Sequence, residues 1–119
     1  MGYLFIASTI LFTVYGQLII KFRVNKYGPL PDGLSEKMSY MLHLLIDPLI
    51  LSGFLSAFIA SFFWMAALTK FDISHAYPFM SLSFVLVFVL SIIFFNEPFT
   101  VNKLIGIGFI ILGIIFIAK

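Results

Sequence analysis

Four long apolar stretches, separated by breaks too short or too polar to continue them, dictate what this chain can become. They run Gly2–Ile20, Pro48–Thr69, Ser74–Phe95 and about Val101–Ala118. A helix needs about 20 mostly apolar residues to cross a bilayer. Lipid also requires each backbone N–H and C=O to be satisfied internally, which leaves only helices or closed barrels. Barrel strands alternate apolar and polar residues over about 10 positions; these runs are longer and show no such alternation. The expectation is therefore an all-α membrane protein. A single transmembrane domain over residues 1–119 would hold four spans, at about 2–20, 48–69, 74–95 and 101–118.

Composition agrees. The chain is 62% hydrophobic and 10% charged, against about 25% charged residues in soluble domains. A net charge of +2 is too small to indicate a nucleic-acid partner. The absence of cysteine rules out disulfides and thiolate metal sites. The N-terminal run has no basic residue before Lys21 and no small-residue cleavage signal, so it reads as a retained first helix rather than a secretory leader. Lys103 lies close enough to the start of the fourth span to snorkel to the interface.

The breaks Lys70–Ile73 and Asn96–Thr100 are short, so the helices they join should be antiparallel neighbours. The long connection, Lys21–Asp47, carries Lys21, Arg23 and Lys26 and then the turn Gly28-Pro29-Leu30-Pro31-Asp32-Gly33. Beyond it Leu34, Met38, Met41 and Leu45 recur at helical spacing with Ser35, Glu36, Lys37 and Ser39 between them. That pattern predicts an amphipathic helix at about 34–46 lying in the membrane interface. The alternative is a longer second helix broken at Asp47-Pro48, where proline disfavours helical geometry at the residue before it.

Inside the spans the informative fact is an absence: no central position carries Asp, Glu, Lys or Arg. An intramembrane ionisable group is the usual mark of a proton or ion pathway. What remains is mildly polar. Thr9, Thr13, Gln17 and Lys21 form a slowly winding stripe on the first helix, and Ser74, Tyr77, Pro78 and Ser81 share a face of the third. Each of these groups either bonds a neighbouring helix or backbone carbonyl, or lines a path. Pro78 falls in the first turns of its helix, where a missing N–H does little harm. Trp64 reads as an interface anchor, with a ligand platform as the alternative, and His43 and His75 as interfacial. No nucleophile–base pair, phosphate-binding glycine loop or metal motif is present, so neither catalytic residues nor a cofactor nor a metal is expected.

Gly53, Ala57, Ala60 and Ser61 make a small-residue face on the second helix, and Gly106 and Gly113 lie a heptad apart on the fourth. Such faces let helices approach closely in lipid, either within the chain or between subunits. Secondary transporters commonly use two structural repeats. Four helices supply one, so Gly106 and Gly113 are candidate packing positions in a dimer.

Several of these segments together resemble the small multidrug resistance family and the related EamA-type proteins of the drug/metabolite transporter superfamily. They are Gly16-Gln17 on the first helix, Ala76-Tyr77-Pro78 with Ser81-Leu82-Ser83 on the third, Asn96-Glu97-Pro98, and Gly106 to Gly113. Within that superfamily they look most like subunits of lipid-linked aminoarabinose flippases. The drug exporters carry a glutamate three residues before the glycine matching Gly16, where this chain has Thr13, and a tryptophan where it has Met80. Cation–proton antiport is therefore not the expectation. The resemblance implies a flippase, or a flippase subunit, for a polyprenyl-phosphate-linked sugar in the bacterial inner membrane. Its working unit would be a homodimer or a heterodimer with a related four-helix subunit. The headgroup would pass along Thr13, Gln17, Tyr77 and Ser81. Lys21 and Arg23 would hold the phosphate, and Glu97 would pair with Lys21 or with an amino group on the sugar. A small-metabolite or drug exporter and a non-transporting membrane partner are the other readings.

Lys21, Arg23, Lys26, Lys37 and Lys103 fall on one side of the membrane, against Lys70 and Lys119 on the other. Cytoplasmic loops are enriched in Lys and Arg, so both termini should lie outside. A cysteine introduced at Lys119 should label with a membrane-impermeant maleimide from the non-cytoplasmic face; labelling only from the cytoplasm reverses the topology.

Overall fold

A computed structural model describes residues 2–119. Six helices follow in order: α1 (Gly2–Tyr27), α2 (Leu34–Leu45), α3 (Pro48–Leu68), α4 (Ile73–Phe79), α5 (Leu82–Phe95) and α6 (Val101–Ala118). Four segments are long and apolar enough to cross a membrane: α1, α3, α4 with α5, and α6. The protein is thus an all-α, multi-pass membrane protein.

α1 continues past Ile20 to Tyr27, so Lys21, Arg23 and Lys26 stand on a helix rather than in a loop. Loss of apolar character does not end a helix, because Lys and Arg are good helix formers. What ends it is Gly28, whose φ of +86° is a left-handed conformation suited to glycine. At 26 residues the helix is about 39 Å long at 1.5 Å per residue. That exceeds the hydrocarbon core, so its last turns carry the basic residues out to the headgroups.

α3 begins at a capped end. Asp47 accepts the backbone N–H groups of Leu49 (2.9 Å) and Ile50 (3.3 Å), and Pro48 takes the first helical position, where no N–H is needed. Between α1 and α3, α2 buries Leu44 and turns Leu34, Met38, Met41, Leu42 and Leu45 outward.

The third span, expected at Ser74–Phe95, runs from Ile73 to Phe95. It is interrupted at Met80–Ser81, between α4 and α5. Pro78 is not in the first turn but near the end of α4. It removes the N–H that would reach the carbonyl of Ser74. The chain then tightens into three-residue turns, with Met80 N–H on the Tyr77 carbonyl (2.9 Å) and Ser81 N–H on that of Pro78 (3.0 Å). Asn96 ends α5 in the left-handed region, with φ 53°, a conformation asparagine tolerates better than most residues.

The most extensive helix–helix contact is between α1 and α3. A Cβ on Gly16 would lie 2.9 Å from the Gly53 carbonyl oxygen, and one on Gly53 would lie 3.2 Å from the Gly16 oxygen. The buried side chains of α3 are Ile50, Gly53, Ser56, Ala60 and Ala67. Ser56 donates across the interface to the Phe12 carbonyl at 2.6 Å, and Phe12 stacks on Phe63 at 5.6 Å. α5 packs on the other flank of α1, with Leu82, Val87 and Leu90 against a core that includes Ile6, Ile10 and Val14. α6 stands at the edge: only Ile114 is buried, and a Cβ on Gly106, Gly108 or Gly113 would meet nothing within 4 Å. No neighbour in this chain uses those glycines.

The two glycine sets should therefore respond oppositely to a methyl group. Gly16→Ala forces two backbones apart and should destabilise the protein by about 1–3 kcal/mol, the usual range for overpacking. Gly106→Ala adds the methyl to open space and should be neutral or stabilising by up to about 1 kcal/mol in a single chain. Thermal unfolding of both variants in detergent checks the contrast. Equal effects would mean that α1 and α3 do not meet at Gly16.

Candidate functional site

Several polar residues of the spans line one cleft in front of α1, between α3 on one side and the α4–α5 span on the other. Its volume is about 360 Å³. Thr9 and Thr13 of α1 form the back wall, and Ala57, Ala60, Ser61 and Trp64 of α3 one side. Tyr77 of α4, Met80 and Ser81 at the break, and Ser83 and Phe84 of α5 form the other. No charged side chain lines it among the described residues. The geometry follows from local structure. The glycine contact holds α3 close to one flank of α1, and the third span packs on the other, with its tightened turns at Met80–Ser81 on the cleft.

Several wall hydroxyls are already occupied. Thr9 donates to the Phe5 carbonyl at 2.8 Å, Ser61 to Ala57 at 3.2 Å and Ser83 to Met80 at 2.6 Å. These satisfy backbone of their own helices, as Ser and Thr commonly do. The hydroxyls of Thr13, Tyr77 and Ser81 have no hydrogen bond among the described residues and are free to meet a ligand. Trp64 and Tyr77 meet edge to face, their ring centres 5.9 Å apart and their planes at 76°. The two rings make an aromatic corner.

Of the sequence-predicted path, Thr13, Tyr77 and Ser81 line this cleft. Gln17 lies one turn along α1 from Thr13 and is exposed, outside the cleft proper. A further turn on, Lys21 reaches Glu97, Nζ to Oε2 3.8 Å, bridging α1 and the α5–α6 connection. Their side chains are 50% and 40% exposed, so this is a weak, displaceable pair.

Arg23 goes elsewhere. Its Nε donates to both oxygens of Asp47 (3.2 and 3.0 Å) and its Nη2 to Oδ2 at 2.6 Å. Tyr27 donates to the same carboxylate at 2.7 Å. Asp47 is only 4% exposed, and Arg23 also lies over the Tyr27 ring at 5.6 Å. With its fork committed to a buried carboxylate, Arg23 is a structural tie between α1 and α3. The partner it meets here is Asp47 rather than an open site for phosphate.

Trp64 is the other residue the sequence misplaces. Four residues from the end of α3, it looks like an interface anchor, yet its ring faces the cleft. The signal was present: Ala57, Ala60, Ser61 and Trp64 fall at i, i+3, i+4 and i+7, on one helix face. The buried face of α3 is instead Gly53, Ser56, Ala60 and Ala67. Among the described residues no group of His, Cys, Asp and Glu is placed to hold a metal ion.

The sequence model of the EamA-like transporter family matches residues 1–119. The chain is 36% identical to a probable 4-amino-4-deoxy-L-arabinose-phosphoundecaprenol flippase subunit ArnF of Proteus mirabilis, over 99% of this chain and 92% of that one. It is 32% identical to the protein of the same description from Aeromonas hydrophila, over 98% and 78% of the two chains. With the one from Erwinia tasmaniensis it shares 31% identity, over 98% and 94%. No solved structure matches the chain.

The Asp47 tie has a definite pH signature. Hydrogen bonds from Arg23, then from Tyr27 and the backbone of α3, hold the Asp47 carboxyl well below the usual carboxylate range. A carboxylate of lowered pKa stabilises the fold fully above its unfolded pKa, near ~4, and loses that stabilisation as pH falls toward the depressed value. The stability difference between wild type and Asp47→Asn should therefore be flat from pH 8 to pH 5 and shrink below about pH 4. Asp47→Ala, which also removes the cap, should be the less stable variant. Unfolding midpoints measured across that range test both statements.

Proposed function

The chain belongs to the EamA-like transporter family, and on that premise we propose that it is a subunit of a flippase for a polyprenyl-phosphate-linked sugar in the bacterial inner membrane. The observation that carries this reading is the pairing of an uncharged, hydroxyl-bearing cleft with a displaceable cation about two helical turns away along α1, which we take as its mouth. The descriptions of the relatives as lipid-linked aminoarabinose flippase subunits point the same way. The long-loop side faces the cytoplasm, with both termini outside. α2 lies in the interface there, its outward Leu34, Met38, Met41 and Leu45 in lipid.

On this reading Lys21 captures the phosphate. A phosphate dianion competes with Glu97 for the ammonium, and the long, exposed Lys21–Glu97 pair yields readily. Glu97, once released, is free to meet an amino group on the sugar. The sugar then enters the cleft past Gln17 and Thr13, exchanging hydroxyl partners with Tyr77 and Ser81. The isoprenoid tail stays in lipid, because the cleft is open at its side, where Ala57, Ser61, Tyr77 and Phe84 are exposed. No wall residue carries a proton in exchange. Thr13 stands where a drug exporter of this superfamily has its glutamate, which separates this reading from cation antiport. One chain supplies one wall of a full pathway. A second four-helix subunit, identical or related, would close the cleft and pack on the exposed Gly106 and Gly113 of α6.

The test is a flipping or complementation assay in which each variant's membrane level is measured alongside activity. Lys21→Gln and Gln17→Leu should lower activity about tenfold or more at normal expression, and Tyr77→Phe should lower it less. Arg23→Gln should lower the amount of folded protein rather than the activity of what folds. Full activity of Lys21→Gln refutes the capture step, and proton-coupled export of a small cation by the wild type refutes the reading as a whole.

A further inference from the structure

We infer that Trp64 is the stacking surface for the sugar ring of the lipid-linked headgroup, at a station distinct from the phosphate-capturing mouth. The inference rests on the flippase reading and adds the residue that reads the sugar itself.

Distance separates the two stations. Thr13, beside the aromatic corner in the cleft wall, is eight residues from Lys21 on a continuous helix. Eight residues of helix span about 12 Å. A phosphate joined directly to a sugar is separated from the ring by only a few bonds. A headgroup whose phosphate sits on Lys21 therefore leaves its ring near Gln17, short of the corner. The mouth and the corner must be occupied in succession.

The chemistry of the corner then selects the ligand. A monosaccharide ring has C–H faces that are apolar and an equator of hydroxyls. An indole offers a broad apolar face with a polar edge. Around Trp64 stand Tyr77, nearly perpendicular to it, and the unengaged hydroxyls of Thr13 and Ser81. Apolar face and free hydroxyls thus occur together in the one part of the membrane interior where the chain concentrates polar side chains. No charged group lines this volume among the described residues, so it holds a ring rather than an anion. Phosphate recognition stays at Lys21. A side chain serving only as an interface anchor would point away from the cleft, toward headgroups. This one is partly buried and forms the cleft wall.

The experiment uses a convenience of the sequence: Trp64 is the only tryptophan in the chain. The full-length protein in nanodiscs is titrated with two short-chain probes, a polyprenyl phosphate carrying aminoarabinose and the same polyprenyl phosphate without sugar. Binding is followed by tryptophan emission and independently by native mass spectrometry. The sugar-bearing probe should change the emission and the bare one should not. Trp64→Leu should weaken binding of the sugar-bearing probe about five- to tenfold, the scale of one aromatic contact, and leave the bare probe unaffected. Trp64→Phe should retain most of the affinity. If the sugar-bearing probe binds without changing the emission, and Trp64→Leu binds both probes as wild type does, stacking is overturned while the flippase reading stands. If neither probe binds the wild type, both fall together.

Discussion

The close approach of Gly16 and Gly53 is the contact on which the rest of the arrangement depends. Between helices in lipid there is no hydrophobic driving force, because the tails are as apolar as leucine. Association has to come from van der Waals contact and polar bonds, both of which require proximity. Two glycines facing one another supply it. Once the backbones are that close, Ser56 can reach the Phe12 carbonyl, Tyr15 can donate to Ser52 at 3.0 Å, and Asp47 can take Arg23 and Tyr27. The long connection is held by the same pair of helices, since Tyr40 of α2 donates to the Gly28 carbonyl at 2.6 Å just beyond α1.

On the other side of α1 the third span changes its local geometry at Met80–Ser81. Pro78 withholds one N–H, and the turns after it tighten. Tyr77 and Ser81 lie at this point and line the cleft together with Trp64. Broken helices are tolerated at membrane depth where the freed backbone lines a cavity. Here that condition coincides with the greatest concentration of hydroxyl groups in the spans.

Charge is distributed by the same solvent logic. A charged side chain at the bilayer centre costs about 2.5–3.5 kcal/mol even on the most lenient scales, and this chain places none there. Its two ion pairs among the described residues lie at the long-connection end of the spans, and they serve opposite ends. Arg23–Asp47 is short, forked and buried, with every acceptor site of the carboxylate in use, as a permanent tie requires. Lys21–Glu97 is long and exposed, as a displaceable contact requires. Two basic residues within one turn of the same helix thus make different contacts, because only one faces a carboxylate held in place by a helix cap.

The solvent this chain folds in, the number of spans, the short hairpin connections and the lack of an intramembrane acid were all legible in the residues themselves. Length and hydropathy act locally, and lipid permits few alternatives. So was the stripe Thr13, Gln17, Lys21, since helical period alone puts those residues on one face. Four matters were decided only by tertiary structure: the assignment of Arg23 to Asp47, the turning of Trp64 into the cleft, the break after Pro78, and the emptiness around Gly106 and Gly113. Each depends on what stands opposite a residue. Periodicity reports which residues share a face, but which neighbour that face meets is set by the one place where two backbones can come within contact of each other.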